Sequence, residues 1–161
     1  MRDASLYFGG DLSTKNTAFA PRVRKWLVGP ALNFDVPGFW DLAVVARGEH
    51  NHNGIVGKNV RFDTTWGVST AWLIKVPAAR GRFTGYFDVI GPKGKDGFGD
   101  ETKTELHGNA YFLVDVGSFF DKQDTVFAGV GYEYWKNKFG ANPPTPGTQQ
   151  STPMIAVEFH L

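Results

Sequence analysis

The chain has 161 residues, a net charge of +1, twenty glycines and no cysteine. This length fits one domain, residues 1–161, and the lack of cysteine excludes disulfides and thiolate metal sites. The near-neutral charge gives no reason to expect a nucleic-acid partner. No apolar run approaches the roughly 18 residues that a membrane helix needs.

The first half of the chain predicts four β-strands, because apolar and polar residues alternate along it. These strands cover residues 4–10, 24–36, 39–49 and 60–76. The fourth is the clearest, since Trp66 and Trp72 share one face and Arg61 lies on the other. Pro30 removes a ladder hydrogen bond from the second strand, which predicts a bulge or a position near an unpaired edge.

The second half predicts four more strands, at residues 82–90, 102–116, 125–139 and 153–161. Neither a helix, a domain boundary nor an internal repeat is predicted. The connections alternate in length: the long ones are 11–23, 50–59, 91–101 and 140–152, and the short ones are 36–38, 77–81 and 117–124. This rhythm is typical of outer-membrane barrels, which have long exterior loops and short periplasmic turns.

The sequence therefore predicts an all-β fold, an antiparallel up-and-down transmembrane β-barrel of about eight strands. A soluble β-sandwich or lipocalin-like barrel is the alternative, with the apolar face as its core. Long strands, aromatic residues near strand ends and charged residues deep within strands favour the membrane. In that case the apolar face meets lipid and the polar face lines the lumen.

The polar face supplies the candidate binding residues. Aromatic side chains stack on planar bases, and nearby polar groups form hydrogen bonds with hydroxyls and ring nitrogens. Loose binding of this kind suits a channel. The alternative is a lumen of mixed charge that only rigidifies the barrel. The predicted lumen-lining residues are Arg47, Arg61, Asp63, Arg82, Tyr86, Asp88, Glu105, His107, Tyr111, Asp115, Glu133 and Trp135.

Other groups of polar residues are weaker candidates for a functional site. His50 and His52 have metal-ligand spacing, but their Asn- and Gly-rich surroundings favour a solvated loop. Glu105 with His107, and Glu158 with His160, could act as acid and base. No nucleophile motif accompanies either pair, so lumen polarity is the preferred interpretation. We expect no enzymatic activity, no metal and no cofactor.

Several segments together resemble a known family. They are Gly131-Tyr132-Glu133-Tyr134-Trp135 continuing to Gly140, Gln149-Gln150-Ser151-Thr152-Pro153, Glu158-Phe159-His160-Leu161, Glu101-Thr102-Lys103-Thr104-Glu105 and Gly10-Asp11-Leu12-Ser13. They are similar to the nucleoside-specific channel-forming outer-membrane proteins, the Tsx-like family. The resemblance implies a monomeric twelve-stranded barrel in the bacterial outer membrane that passes nucleosides by diffusion. Some members also serve as phage or colicin receptors.

The chain departs from this family pattern in three ways. It holds about eight strands instead of twelve, residues 1–5 contain no apolar signal segment, and Leu161 stands where barrels usually end in Phe or Trp. We therefore expect a truncated or split member, a processed chain, or one that starts at an internal Met. Eight closed strands would leave an interior filled by side chains, whereas an open sheet would expose unpaired edges to lipid.

The predicted function is passive diffusion of nucleosides or similar small polar solutes across the outer membrane, with lipid as the surrounding partner. The alternatives are a structural or ligand-binding barrel without transport, and a barrel-embedded hydrolase that uses one of the Glu/His pairs.

Overall fold

The computed structural model describes residues 1–13, 22–53, 55–141 and 146–160. It consists of one antiparallel sheet of nine strands, eight of which follow one another in chain order while the short β4 pairs only with β3. The strands are β1 (Asp3–Leu12), β2 (Arg22–Phe34), β3 (Gly38–Asn53), β4 (Lys58–Arg61), β5 (Thr65–Val76), β6 (Gly81–Ile90), β7 (Glu105–Asp115), β8 (Val126–Lys136) and β9 (Gln149–Phe159). Leu161 and parts of the predicted connections 11–23 and 140–152 lie outside the described residues.

The sheet is up-and-down, as the alternating connections predict, but it is not closed. Each strand pairs with its chain neighbours, except that β4 and β5 both pair with β3. Within the described ranges, β1 and β9 each have a single strand neighbour and do not pair with one another. The all-β antiparallel prediction is therefore confirmed, whereas closure into a barrel is not found.

The predicted strand 60–76 is in fact two strands, and this corrects the predicted count of eight. β4 pairs with the far end of β3, and β5 pairs with the rest of it. Between the two ladders, residues 62–64 lie opposite only Gly48 and Glu49. The extra residue forms a bulge, and one inserted residue exchanges the two faces of a strand. Arg61 and Thr65 therefore point to opposite sides of the sheet.

Several strand ends also differ from the prediction. Residues 50–53, 58 and 59, predicted as loop, belong to the β3–β4 hairpin, and β9 begins four residues earlier than predicted. Three single-turn 3-10 helices occupy connections where no helix was predicted: Pro77–Ala79, Gly117–Phe120 and Lys138–Gly140. They are too short to produce a periodic pattern. Of the described helices, none has the length and apolar character to span a bilayer.

Pro30 lies in β2, which stands between β1 and β3; the predicted bulge is not found, whereas β2 does lie beside the edge strand β1. The ladder to β3 stops at Gly29 and Pro30 and resumes at Ala31 in the same register. The interruption follows from proline's missing N–H. The backbones approach closely here, because a Cβ on Gly29 would lie 1.9 Å from the Val44 carbonyl oxygen.

The two faces of the sheet differ sharply in composition. We call the side that carries Trp26, Trp66 and Ile155 the outer face, and the side that carries Leu113 and His107 the inner face. Large apolar side chains on the outer face are exposed, with Ile155 at 87%. In the described chain only five apolar residues are buried: Ala31, Ala43, Val45, Leu113 and Phe127. The accessible surface, 10258 Å², exceeds the roughly 8,000 Å² typical of a folded soluble monomer of this mass.

The inner face is concave. Arg82 of β6 forms a hydrogen bond and ion pair with Glu158 of β9. Three strand spacings would separate these strands by about 14 Å in a flat sheet. Direct contact therefore requires the sheet to curl toward its inner face, and Tyr7 of β1 and Trp135 of β8 accordingly line one common cavity.

The close approach at Gly29 predicts a sharp steric effect. We expect Gly29→Ala to lower the free energy of unfolding by about 1–3 kcal/mol, because the added methyl group must displace the β3 backbone. Gly10→Ala is the matched control, since its nearest atom would be 3.5 Å away, and it should stay within about 0.5 kcal/mol. Denaturant titration followed by circular dichroism measures both; equal stability of the two variants would contradict the close approach.

Candidate functional site

A cavity of about 310 Å³ lies on the inner face near the end of the sheet that carries the long connections. Its volume is at the lower end of the range of small-molecule sites. Strands from β1 to β8 contribute side chains to it. The lining includes Tyr7, Arg47, Asp88, His107, Trp135 and Phe139.

A row of directly opposed inner-face residues forms one wall. Ser69, Asp88, His107, Trp135 and Gln150 are successive cross-strand partners from β5 to β9. Directly opposed side chains in a sheet lie within contact distance of each other. The Ser69 hydroxyl donates to Asp88, and the His107 ring stacks on Trp135 with 3.9 Å between ring centroids. Because side chains alternate between the two faces of each strand, these five residues lie on the same face and form the wall.

His107 is held by a network of polar groups. Its Nε2 atom lies 3.1 Å from the Tyr86 hydroxyl and 3.3 Å from Glu133 Oε1. Gln150 in turn donates to Glu133 Oε2 at 2.9 Å. Such connected hydrogen bonds fix side-chain orientation more firmly than an isolated pair. The network therefore holds the His107 ring, which lines the cavity, in a defined position.

Glu105 fixes two aromatic residues at the cavity rim. Its Oε1 atom accepts hydrogen bonds from Trp135 Nε1 at 2.7 Å and from the Phe139 backbone N–H at 3.1 Å. Phe139 has φ of +60°, which is a costly conformation for a bulky residue. Phe139 remains 65% exposed as a residue and lines the cavity. Glu105 thus stabilises a strained turn whose effect is to hold an aromatic ring at the rim.

A buried ion pair joins the 91–104 connection to β3. Lys93 Nζ lies 2.6 Å from Glu49 Oε2, and both side chains are less than 10% exposed. The ammonium also lies 4.3 Å from the centre of the Phe62 ring, a cation–π geometry. The Lys93 backbone N–H donates to Thr102. This contact holds the connection over the cavity.

The ion pair sets the protonation state of Glu49. Burial alone would raise the pKa of this carboxyl, but the charges of Lys93 and Lys25 and hydrogen bonds from Lys93 and Asn51 lower it below 4.5. Glu49 is therefore charged at neutral pH. It lies between Gly48 and His50, past the last apolar outer-face residue of β3, Ala46.

A second polar cluster lies at the short-turn end of the inner face. The Arg82 guanidinium contacts Glu158 and His160 and stands 4.0 Å from the centre of the Phe127 ring. Arg82 and Asp115 both line a cavity of about 560 Å³ at this end of the sheet. The Asp115 carboxylate accepts backbone N–H groups of Ser118 and Asp124. Asp115 therefore holds the short turn in place.

The structure brings most of the predicted lumen residues to the inner face, in two groups. Those that line or contact the cavity near the long connections are Arg47, Tyr86, Asp88, Glu105, His107, Glu133 and Trp135. Arg82 and Asp115 belong to the opposite end. Tyr111 lies between the groups, and its hydroxyl donates to the Met154 sulfur at 3.4 Å.

Two predicted lumen residues lie elsewhere. Arg61 pairs with His50 on the outer face, because the bulge at 62–64 reverses the alternation. Asp63 lies in the bulge, is exposed, and donates its backbone N–H to the Lys93 carbonyl. The assignment of Arg61 to the inner face is therefore wrong, and Asp63 is a contact of the 91–104 connection rather than part of the cavity.

The predicted acid–base pairs are engaged with other groups. Glu105 accepts from Trp135 and Phe139, whereas His107 contacts Tyr86 and Glu133. In the second pair, His160 lies 3.5 Å from Glu158, and both contact Arg82. His50 and His52 share the outer face with arginines. No group of three or more metal-ligand residues occurs in the part of the chain that the structure describes.

Several residues that line the cavity were not among the predicted site residues, and Lys93, Phe139, Glu49 and Tyr7 are four of them. Lys93 and Phe139 belong to connections, where alternation carries no information. Glu49 is on the predicted polar parity of its strand, and that parity could have identified it. Tyr7 lies in the weakly patterned first strand. Comparison of the chain with protein-family models, curated proteins and solved structures gives no match.

The buried ion pair predicts an asymmetric mutational response. Lys93→Met should lower the free energy of unfolding by about 3–5 kcal/mol, because it leaves the buried Glu49 carboxylate unpaired. The double variant Glu49→Leu with Lys93→Met should recover most of that loss. Urea titration of the three proteins at pH 7 measures the difference, and equal destabilisation by the single and double variants would show that the pair is not buried.

The same pair predicts a pH dependence. A carboxylate whose pKa is lowered by folding stabilises the protein above its unfolded pKa and loses that contribution as the pH falls through the folded value. The stability of the natural chain relative to the double variant should therefore fall as the pH falls below about 4.5. Titrations at several pH values test this.

Proposed function

We propose that this chain forms the wall of an outer-membrane channel through which nucleosides, or similar small polar solutes, diffuse passively. The observation that carries the proposal is the combination of an exposed apolar outer face with a concave inner face that holds aromatic and charged groups.

The outer face has the properties of a lipid-facing surface. β5, β6 and β7 have 10–12 residues, and a tilted strand needs about 9–11 to cross a bilayer. None of their described outer-face positions carries a charged residue. Trp26 and Trp66 stand at the long-connection border of this apolar band, and interfacial aromatic residues are typical of membrane barrels.

Several polar atoms within the apolar band bond to one another, whereas Trp72 Nε1, on the same face, has no hydrogen-bond partner among the described residues. Trp40 Nε1 donates to the Thr70 hydroxyl at 2.9 Å, and that hydroxyl donates to the Asp41 carbonyl. Tyr132 and Ser151 are in hydroxyl contact. Lipid offers no hydrogen-bond partner, so internal pairing of this kind is what a lipid-facing surface requires.

Transport requires that the free edges of β1 and β9 be paired. Unpaired backbone groups in lipid cost several kcal/mol each, and a conducting barrel has no edge. The family resemblance predicts further strands that bring the total to twelve. A twelve-stranded barrel is wider than an eight-stranded barrel. In an eight-stranded barrel, side chains would fill the interior. We therefore propose that further strands complete the pore beside the described sheet.

The inner cavity suits a planar, polar solute. Phe139 and Tyr7 offer partly exposed rings, and Arg47, Asp88 and His107 supply donors and acceptors. Stacking with sparse hydrogen bonding recognises bases without holding them tightly. Release must remain fast for a channel to conduct. A nucleoside, with its flat base and hydroxylated sugar, matches this set of groups.

The membrane placement predicts that the two faces respond differently to charge. Ile155→Arg on the outer face of β9 should reduce incorporation into lipid vesicles, at a cost of up to about 2–4 kcal/mol if the site lies near the midplane. Thr152→Arg, on the inner face opposite Glu133, should incorporate normally. Vesicle flotation measures both, and normal incorporation of the Ile155 variant would place this face away from lipid.

The solute-binding role predicts a selective loss of nucleoside flux. The full chain is extracted from outer membranes with any associated chain retained, and reconstituted in vesicles. Phe139→Leu should reduce adenosine uptake several-fold while leaving uptake of a sugar of similar size nearly unchanged, because it removes a stacking face from the rim. Phe119→Leu is the control, since Phe119 lies exposed in the 117–120 turn.

Two outcomes would contradict the proposal. Equal uptake of nucleosides and sugars by the natural chain would indicate an unselective pore. Nucleoside binding without any uptake would instead favour a ligand-binding wall that does not transport.

A further inference from the structure

Basic side chains form two rows on the outer face at the long-connection end. Arg24 of β2, His50 of β3 and Arg61 of β4 are successive cross-strand partners. Arg22 and His52 form the adjacent row. Neighbouring members of a row have Cβ atoms about 5 Å apart. The bulge at 62–64 places Arg61 in this cluster, which we call the basic rim.

No described carboxylate forms an ion pair with Arg22, Arg24 or Arg61, and the carboxylate that follows nearest in the chain is the exposed Asp63 in the bulge. Among the described outer-face positions of β2, β3 and β4 there is no Asp or Glu. The nearby acidic residue Glu49 points to the inner face, where Lys93 pairs with it. Arg22, Arg24 and Arg61 are all exposed. They border a shallow cavity of about 280 Å³, so an anion can approach all three.

The basic rim lies just beyond the apolar band, on the side of the long connections. Arg24 is two residues beyond Trp26 on the same face of β2, about 7 Å along the strand. At the short-turn end, no described outer-face strand position carries Arg or Lys. The strand-borne positive charge of the outer face therefore lies on the side of the long connections, and Arg2, just before β1, is the exposed arginine at the other end of the same face.

We propose that Arg22, Arg24 and Arg61 bind the phosphate groups of a phosphorylated lipid in the membrane leaflet on the long-connection side. The inference rests on the membrane placement proposed above. Guanidinium groups recognise phosphate through paired N–H donors. Lipid phosphates lie just outside the hydrocarbon, at the height where this cluster stands. The adjoining Trp26 ring and apolar β2 surface accommodate the acyl chains, which a soluble anion lacks.

The test compares one phosphorylated glycolipid with its dephosphorylated counterpart. The full chain, in micelles that contain either lipid, is analysed by native mass spectrometry for bound lipid. The natural chain should retain the phosphorylated form preferentially. The variant Arg22→Gln, Arg24→Gln, Arg61→Gln should bind it at least tenfold more weakly. The charge-matched control Lys95→Gln, Lys103→Gln, Lys122→Gln removes exposed cations elsewhere and should change binding less than twofold.

Each remaining outcome counts against the inference. Equal weakening in both triple variants would indicate net charge rather than a site. Displacement of the lipid by millimolar inorganic phosphate would indicate a site for soluble anions. Incorporation into vesicles without any phosphate preference would contradict the lipid site while leaving the channel proposal intact. Failure of the natural chain to incorporate at all would contradict both.

Discussion

Adjacent side chains in a β-strand point to opposite faces, and this alternation determines the chemistry of both surfaces of the molecule. Along β5, β6 and β7 it sends every charged side chain to the inner face and leaves the outer face apolar. Among the described residues, no second layer of strands or helices covers either face of the sheet. An apolar surface of this extent is stable only against lipid or another protein, so the environment of the outer face is the central constraint on the fold.

The bulge at residues 62–64 shows how sensitive this arrangement is to a single residue. Without it, Arg61 would project into the concave side near Lys93 and weaken the ion pair with Glu49 by like-charge repulsion. With it, Phe62 packs beneath the Lys93 ammonium, and Arg61 joins Arg24 at the border of the apolar band. One irregularity therefore separates the charges of the cavity from those of the basic rim.

The strands and their faces follow from the sequence because alternation is a local property. The positions of His107, Asp88 and Trp135 on one face could be predicted in this way. The Lys93–Glu49 contact could not, because Lys93 belongs to a connection and its partner is 44 residues away. Phe139 was predicted as the end of a strand, but hydrogen bonding to Glu105 holds it in a left-handed turn. In both cases, contacts between distant parts of the chain determine where the side chain lies.

The cavity does not depend on closure of the sheet. Contacts across the inner face set the curvature: Arg82 reaches Glu158 at one end, and Lys93 reaches Glu49 at the other. Apart from Tyr7, the cavity is lined by residues that lie inside the two edge strands. The proposed solute site thus lies in the interior of the sheet, while continuity of the proposed pore depends on what pairs with β1 and β9. The proposals of binding and of transport can therefore be tested separately.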